Sequence, residues 1–369
     1  MLSRNFDVEL RHQLALNDSA DSPTSSSMPM TAAFLWRSRQ VEHLDAFVRA
    51  LEAKSGMLMP AFFLASVSPR GWRPLVVVVS QGQRIAGLLY CKERVVAGVG
   101  IRIAFGNDAL GAMVAANPDE TESVIECATN ALLNRMFALR FLVSAKRLAV
   151  LKRIHTTADV SFFATKNHAH LQLPGTFDEF LAKLGPRTRR NFRNFRRKSE
   201  SAGNKFIHEL DFSEFSSASR RLSPKASLAR SSETQEKHLA MIGAMPNRLL
   251  VGLCGKNSEW IGLAGGWREG YRATLMMQLN DGTRTRESIS IVLRSYLIEE
   301  LMKQGVRELV FWEGTSAPLS AYANYPEMVM AHLDAQSLAL RLVRGAWTTA
   351  RKFAPTNFIL LRKWFVRDV

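Results

Sequence analysis

An internal repeat constrains the fold of this chain more than any other feature of its sequence. Each copy contains three strand-like runs, one helical pattern and one final strand-like run. In the first copy these segments lie at 73–80, 84–91, 94–108, 122–137 and 138–145. In the second copy they lie at 248–254, 259–267, 271–281, 288–305 and 306–313. Each copy is therefore predicted to be an antiparallel meander followed by one helix and one further strand.

This order of elements differs from that of a doubly wound sheet, in which helices alternate with single strands. The sequence predicts an α/β (α+β) protein with two tandem units, each a mixed, mostly antiparallel twisted sheet flanked by helices. We place the first unit at 32–170 and the second at 171–369, after a tail at 1–31 with a composition typical of disorder. A single large mixed α/β domain is the alternative.

The composition indicates a cytoplasmic protein with an anionic partner. The formal net charge is +16 and the hydrophobic fraction is 47%, so a sizeable core is combined with an excess of cations. Such an excess favours phosphate groups, anionic lipid headgroups or nucleic acid as partners. The three cysteines (Cys91, Cys127 and Cys254) are far apart, which fits a reducing compartment. The sequence contains no apolar run long enough for a membrane span and no secretory signal.

The densest cluster of cations follows a strand that ends in Leu-x-Leu-Pro (171–174). A short helix is predicted next, and Gly185-Pro186 then breaks the chain and starts a second helix. This second helix carries seven basic residues: Arg187, Arg189, Arg190, Arg193, Arg196, Arg197 and Lys198. Phe192 and Phe195 mark its core-facing side. Repulsion among these cations is costly unless an anion lies nearby, and a solvated charged face is the alternative.

This strand, short helix and Arg-rich helix, with the pattern RxRRNxRxxRRK, resemble the cellulose-locus (CelD-type) acetyltransferase family. That family belongs to the GNAT superfamily and is related to the FemAB-type transferases. Together with the repeat, the resemblance extends over roughly residues 40–325. It implies two GNAT-like units and an N-acyltransferase that moves an acyl group from acetyl-CoA or another acyl-CoA to an amine. The acceptor implied is a small-molecule or glycan amine, in cell-envelope or polysaccharide metabolism.

In GNAT proteins the donor's pyrophosphate lies on the loop between the third meander strand and the helix, where backbone N–H groups and the helix dipole favour an anion. By resemblance, the donor-binding residues of the second unit are Gln278, Leu279, Asn280, Gly282, Arg284, Arg286 and Ser288. Glycine allows close backbone approach, arginines suit phosphate, and Ser288 suits an N-cap. The loop lacks the usual [QR]xxGx[GA] pattern, and an ordinary polar turn is the alternative.

The corresponding loop of the first repeat, 107–119, contains no Lys or Arg. We therefore interpret the first unit as non-catalytic.

Acyl transfer to an amine needs a base for the amine proton and an acid for the leaving thiolate. GNAT proteins often place a tyrosine acid shortly after the strand that follows the donor helix, and the resemblance assigns this role to Tyr322. Glu313 ends the strand and is the candidate base. Packing for Tyr322 and solvation for Glu313 are the alternatives.

The basic helix offers one stripe of arginines to an anionic substrate, namely Arg190, Arg193 and Arg197 at i, i+3 and i+7. Arg189 and Arg196 lie on a neighbouring stripe, and we expect them to contribute less.

Two histidines, His168 and His170, alternate along one strand with Gln172, a spacing that suits a metal ion. A third ligand of suitable type is missing nearby in the sequence. We therefore expect no metal here and an exposed polar strand face instead.

The C-terminal segment 338–369 mixes aromatic with basic residues, which is typical of peripheral contact with an anionic membrane surface, here the inner face. An element that closes the second unit is the alternative. Two further functions stay open. One is a FemAB-like aminoacyl transferase that uses charged tRNA. The other is a non-enzymatic, degenerate GNAT module that binds an anionic ligand or membrane surface.

Overall fold

The computed structural model describes residues 28–50, 56–67, 71–107, 113–153, 158–166, 168–227, 231–315 and 318–335. In chain order the strands are β1 (Met30–Leu35), β2 (Trp72–Gln81), β3 (Arg84–Val96), β4 (Val99–Asn107), β5 (Met113–Ala115), β6 (Ala138–Ser144), β7 (Ala158–Lys166), β8 (Ala169–Gln172), β9 (Lys205–Ile207), β10 (Arg248–Cys254), β11 (Trp260–Glu269), β12 (Arg272–Asn280), β13 (Glu308–Phe311) and β14 (Glu327–Ala335). The helices are α1 (Ser38–Glu42), α2 (Asp45–Ala50), α3 (Pro60–Ser66), α4 (Thr121–Leu133), α5 (Ala145–Arg153), α6 (Phe177–Lys183), α7 (Pro186–Ser201), α8 (Phe212–Leu222), α9 (Ser232–Gly243) and α10 (Ile289–Lys303). Two mixed sheets flanked by helices confirm the predicted fold class.

The first unit is built on the sheet ordered β1-β2-β3-β4-β6-β14-β7, with β5 paired to β3. Its meander is β2-β3-β4. The β3–β4 pair is antiparallel, and β6 then lies parallel to β4. The helix between them, α4, buries an apolar face at Val124, Ile125, Ala128 and Leu132. This is the predicted order of strand, hairpin, strand, strand, helix and strand.

The second unit is built on the sheet ordered β8-β13-β12-β11-β10-β9. Its meander, β10-β11-β12, is antiparallel throughout, and β13 lies parallel to β12. The connecting helix α10 is apolar on most sides and fully buries Val292, Leu293, Leu297, Ile298 and Leu301. Burial of so much apolar surface against the sheet stabilises this unit. The second repeat therefore has the same topology as the first.

One hairpin of the first repeat differs from its prediction. The segment 94–108 was expected to be one strand, but Arg94–Val96 belong to β3 and the chain turns at Ala97-Gly98. Both turn residues have positive φ, 50° and 80°. Two successive residues with positive φ form the tight turn whose twist matches a β-hairpin, so Gly98 decides the position of the turn.

The two compact units are each discontinuous in sequence. The first takes the described residues before Trp36, Leu75–Phe163 and the described residues from Val329. The second takes Trp36–Pro74 and Ala164–Met328. The sequence boundaries at 32–170 and 171–369 stay a prediction of where the repeats meet.

Two predicted segments fall largely outside the described residues. The tail at 1–31 does so up to residue 27, and its last two residues, Met30 and Thr31, belong to β1. The basic segment 338–369 lies wholly outside. Within the described part of the chain, none of the helices has the length and apolarity needed to span a bilayer.

Candidate functional site

The second unit has a fork between β12 and β13. The two strands pair in parallel from Arg272↔Glu308 to Leu275↔Phe311. A last hydrogen bond of 2.9 Å joins the Trp312 N–H to the Leu275 carbonyl. β12 continues to Asn280, and on this side its final residues have no partner strand among those described.

A β-bulge lies where the fork begins. The neighbouring residues Gly265 and Gly266 of β11 face Met277 and Leu275, so Met276 is an extra residue in β12. A bulge bends the strand that contains it and increases its twist. The bulge lies directly after Leu275, the last residue of β12 that pairs with β13.

The first unit has no such fork in its described part. β4 and β6 pair from Ile103↔Ala138 to Asn107↔Leu142, and Asn107 is the last residue of β4. A Cβ added at Gly106 would lie 2.6 Å from the ring of Phe141. The ladder is therefore complete and tightly packed where the second unit opens.

The glycine of the predicted donor loop, Gly282, is already hydrogen-bonded to another segment of the protein. The Gly282 N–H donates to the Lys225 carbonyl oxygen at 2.7 Å, and the Ser227 N–H donates to the Asn280 carbonyl oxygen at 3.0 Å. A Cβ at Gly282 would lie 3.0 Å from the same Lys225 oxygen. The close approach that glycine allows is thus used by the segment 225–227.

Arg284 is paired with acids. Three carboxylates surround its guanidinium: Glu259 at 2.5 Å, Glu287 at 3.5 Å and Asp281 at 3.8 Å. These neighbours neutralise the cation and occupy its donors, which leaves it little charge to offer a phosphate.

At the end of the loop, Arg286 and the first turn of α10 have hydrogen-bond donors without a side-chain partner among the described residues. Arg286 is exposed and has no hydrogen-bond or ion-pair partner in the part of the chain that is described. Ser288 is the N-cap of α10, as predicted, with a left-handed backbone at φ 50° and ψ 44°. Its side chain makes no capping hydrogen bond. The first turn of α10 therefore has N–H groups without a side-chain cap, which favours an anion.

The remaining donor-loop residues lie on β12. Leu279 is buried, so it can offer only its backbone. Gln278 Nε2 donates to Asn280 Oδ1 at 3.0 Å and to Ser290 Oγ at 3.2 Å. Its Oε1 accepts a 2.8 Å hydrogen bond from Arg294 Nε.

Arg294 was not predicted from the sequence. Its Nη1 donates to Thr315 Oγ1 at 2.8 Å, and its guanidinium lies 5.0 Å from the centre of the Phe311 ring. Burial lowers the pKa of Arg294 to about 10. The available sequence signal is weak: Ser290 and Arg294 are polar at i and i+4 in an otherwise apolar stretch of helix.

The basic helix α7 begins at Pro186, as predicted. Two of its arginines hold it to the second unit. Arg189 Nη2 donates to the carbonyl oxygens of Ala182 and Leu184, each at 3.2 Å. Arg196 pairs with Glu299 of α10. Burial acts to lower the pKa of Arg196, but the hydrogen bond and charge of Glu299 outweigh it and raise the pKa.

The predicted substrate stripe has a different environment. Arg190, Arg193 and Arg197 are all exposed, and none has an ion-pair or hydrogen-bond partner among the residues described. A surface groove of about 260 Å³ runs along this side of α7. It is lined by Pro186, Arg189, Arg190, Arg193, Asn194 and Arg197. Arg189 and Arg196 therefore make structural contacts, although Arg189 also borders the groove. The charges of Arg190, Arg193 and Arg197 are not compensated by any described residue.

The candidate acid Tyr322 lies beside the start of this helix. Its hydroxyl oxygen accepts a 2.7 Å hydrogen bond from the Gly185 N–H, and its ring packs against the core of the second unit. The candidate base Glu313 follows β13 and is half exposed. One of its oxygens is 3.9 Å from Nε2 of the buried His238.

The predicted polar strand face is only partly exposed: His168 is buried, His170 is half-buried and Gln172 is exposed. His168 donates from Nδ1 to the Trp312 carbonyl at 2.5 Å, and its ring lies 4.3 Å from the Trp312 ring at a tilt of 34°. Its pKa is lowered, chiefly because burial disfavours the charged ring. The expectation of an exposed face was wrong for His168, which the Trp312 carbonyl and ring hold in a buried position, and is confirmed for Gln172.

The two polar residues of β8, His170 and Gln172, contact a carboxylate on β13. His170 Nδ1 is 2.8 Å from Glu308, Gln172 Nε2 is 3.3 Å from the same oxygen, and Arg272 Nε is 2.5 Å from the second oxygen. Burial would raise the pKa of Glu308, but these hydrogen bonds outweigh it and hold the pKa below its ordinary value. In the described ranges no cluster of three or more His, Cys, Asp or Glu residues is arranged to hold a metal ion.

Comparisons with solved structures show what this fold resembles. The C-terminal domain of a putative lysylphosphatidylglycerol synthetase from Agrobacterium fabrum aligns with a TM-score of 0.55 at 11% identity, covering 85% of this chain and 97% of that one. FemX aligns with a TM-score of 0.53 at 10% identity, covering 84% of this chain and 99% of FemX. A tandem GNAT protein from the clavulanic acid biosynthesis pathway aligns at 13% identity with a TM-score of 0.47, covering 84% and 99%.

The chain has the tandem GNAT-like fold, as its topology and the first two likenesses agree. At these identities a likeness establishes the fold alone. No family model matches the sequence, and no curated protein matches it either.

Proposed function

We propose that this protein is a GNAT-type N-acyltransferase whose second unit binds the acyl donor at the fork between β12 and β13. The observation that carries the proposal is the bulge at Met276, placed where the ladder between the two strands ends. Beyond Leu275, β12 has backbone groups without a partner strand among the described residues. An extended donor arm that contains amide groups can pair with such an edge.

The polar end of the donor is proposed to meet the start of α10. The uncapped first turn and the exposed Arg286 are suited to a phosphate or another anion there. Gly282 and Arg284, which the resemblance also assigned to the donor, contribute less because other groups of the protein engage them. Gln278 and Leu279 form the strand edge beside which the acyl arm would lie, and this edge ends at Asn280, whose carbonyl oxygen already accepts from the Ser227 N–H.

The proposed chemistry uses Glu313 and Tyr322. The acceptor amine attacks the acyl carbonyl, its proton passes to the Glu313 carboxylate directly or through water, and the bond to the donor's leaving group breaks. Tyr322 gives its hydroxyl proton to that leaving group. The Gly185 N–H then donates to the phenolate oxygen and stabilises the charge left on it.

The acceptor is proposed to carry an anionic group that binds the stripe Arg190, Arg193 and Arg197. The absence of protein partners for these residues, within the described part of the chain, leaves their donors available. The CelD-type resemblance suggests a small-molecule or glycan amine in cell-envelope or polysaccharide metabolism. The first unit is proposed to be non-catalytic because its corresponding strands stay paired. The site of action is proposed to be the cytoplasm or the inner membrane face.

A second candidate function differs in its donor. The engagement of Gly282 and Arg284 weakens the usual position for the pyrophosphate of coenzyme A and so favours a donor of another kind. An aminoacyl-tRNA is the candidate, since the FemAB-type proteins that the sequence resembles are transferases of that class. The acid, base and fork keep their roles, and an ester oxygen replaces the thiolate as the leaving group.

The experiment is a transfer assay with two donors, acetyl-CoA and aminoacyl-tRNA, each offered with glucosamine and a diamine as acceptors. Calorimetric titration with each donor accompanies it. We expect one donor to bind saturably and to transfer its acyl group. The Arg220→Gln variant, changed at an exposed ion pair with Glu236, is the matched control and should behave like the wild type. Saturable binding of neither donor would refute the enzymatic proposal and favour a module that only binds anions.

A further inference from the structure

We propose that Arg294 recognises an oxyanion, a carboxylate or a phosphate, on the molecule that binds at the fork. This inference rests on the fork being the substrate site and adds the chemistry that the site selects. The anion would lie at the base of the fork, against the guanidinium, and not on the outer surface of α7.

Arg294 spans the two sides of the fork. Its Nε donates to Gln278, which lies on β12 beyond the bulge. Its Nη1 donates to Thr315, which follows β13. Both contacts are 2.8 Å, and the planar group also lies over the Phe311 ring. Three separate elements therefore fix the guanidinium in one orientation, which is the preorganisation that a binding group needs.

The charge of Arg294 is not neutralised within the described residues. Its two hydrogen-bond acceptors are an amide and a hydroxyl, and neither carries charge. Three other partly buried arginines of this unit face a carboxylate: Arg196 faces Glu299, Arg272 faces Glu308 and Arg284 faces Glu259. A desolvated cation without a counter-ion is costly, so a bound anion would stabilise this site.

The guanidinium also has donors left for a ligand. Arginine has five N–H groups, and two of them are used by Gln278 and Thr315. Nη2 makes no hydrogen bond among the described residues and is not a buried atom, so its two N–H groups reach accessible space. A planar guanidinium can form two parallel hydrogen bonds with a carboxylate or a phosphate. The fork of β12 and β13 is thereby suited to an acidic substrate or to the phosphate of a nucleotide-linked donor.

The test measures anion binding by the full chain at constant ionic strength, with inorganic phosphate and acetate as probes in separate titrations. We expect at least one probe to bind saturably to the wild type. Arg294→Gln should weaken that binding by about tenfold or more. Arg294→Lys keeps the charge but loses the planar guanidinium, and it should weaken binding by about threefold. The Arg220→Gln variant, changed at an exposed ion pair with Glu236, should leave this binding unchanged. Binding of phosphate alone identifies a phosphate-bearing partner, and binding of acetate identifies a carboxylate.

Equal affinity in wild type, Arg294→Gln and Arg294→Lys would overturn the inference, as would the absence of saturable binding of both probes. If Arg294→Gln does not fold, Arg294→Lys alone decides. Anion binding requires no transfer chemistry. Loss of anion binding in the variants therefore supports the inference even if neither donor reacts. If Arg294→Gln transfers the acyl group as the wild type does, the protein is still an acyltransferase, but Arg294 does not recognise its substrate.

Discussion

The backbone N–H of Gly185 donates a 2.7 Å hydrogen bond to the hydroxyl oxygen of Tyr322. Gly185 is the N-cap of α7 and has no side chain to satisfy the helix. A Cβ at this position would lie 3.2 Å from the same hydroxyl oxygen. The candidate acid is thus also the group that fixes the beginning of the basic helix.

Replacing Tyr322 with Phe removes this acceptor and the proposed proton donor together. We expect the free energy of unfolding to fall by about 1 kcal/mol, the usual contribution of one hydrogen bond. If Tyr322 is the acid, kcat should fall by about 10²-fold or more, because general acid catalysis has that magnitude. Denaturant unfolding and the transfer assay measure the two effects.

The matched control is Tyr325→Phe, which loses a weaker 3.3 Å hydrogen bond to the Thr315 carbonyl. It should keep its kcat. A loss of stability in Tyr322→Phe with an unchanged kcat would assign Tyr322 a structural role only.

The two arginine stripes of α7 are expected to behave differently. Changing Arg190, Arg193 and Arg197 to Gln should weaken acceptor binding by about tenfold, or roughly 1.4 kcal/mol. Stability should change by less than about 0.5 kcal/mol, since these exposed side chains have no partners in the described chain. Acceptor titration and thermal unfolding measure the outcome.

The comparison variant changes Arg189 and Arg196 to Gln. It should unfold more easily, because it loses the contacts with Leu184 and Glu299, yet it should bind the acceptor better than the first variant. Equal losses of binding in both variants would indicate a diffuse electrostatic surface, as for a membrane or nucleic acid.

The ion cluster at Glu308 predicts a pH dependence of stability. The folded pKa of Glu308 lies below its ordinary value of 4.5, so the unfolded chain binds more protons in the interval between the two. The stabilisation is therefore fully present above pH 4.5 and is lost as the pH falls through the folded pKa. Glu308→Gln should be less stable than wild type by about 1–3 kcal/mol near neutral pH.

This difference between Glu308→Gln and wild type should shrink in acid. Thermal unfolding of both proteins across that interval measures it. A difference that stays constant on acidification would mean that the folded and unfolded pKa values of Glu308 are the same.

The bulge can be tested through Gly266. A Cβ at this position would collide with the carbonyl oxygen of Thr274 on β12, and backbone cannot move aside as a side chain can. Gly266→Ala should therefore destabilise the protein by about 3 kcal/mol or more. In Gly262→Ala the added methyl group meets the Ile289 side chain at 2.8 Å, so the cost should be smaller. Similar stability of Gly266→Ala and wild type would contradict the bulge.

Much of the fold could be predicted because the repeat is written in local patterns. Strand runs, hairpin turns and the helical period of 288–305 are properties of neighbouring residues, and the structure confirms their order. The bulge at Met276 adds one residue within an apolar run, which leaves no local trace. The position of β14 in the first sheet depends on pairing with distant strands and has no local signal either.

The site was less accessible to sequence reasoning. The stripe Arg190, Arg193 and Arg197 follows from helical spacing, but which arginines are paired depends on acids far along the chain, such as Glu299. Arg284 looked suited to phosphate because the sequence does not show its pairing with Glu259. That residue precedes β11 and is distant from Arg284 along the chain. Arg294 gave only a weak signal, because its helical spacing from Ser290 does not show that its side chain is buried.

The most direct test of the account is hydrogen–deuterium exchange of the full chain with and without donor, using acetyl-CoA and aminoacyl-tRNA in parallel. The account predicts that one donor slows exchange in residues 276–280 of β12 and in the first turn of α10. Residues 103–107 of β4, which are fully paired in the first unit, should exchange alike with and without donor. Protection at 103–107 instead, or no protection at 276–280 by either donor, would contradict a donor site in the fork.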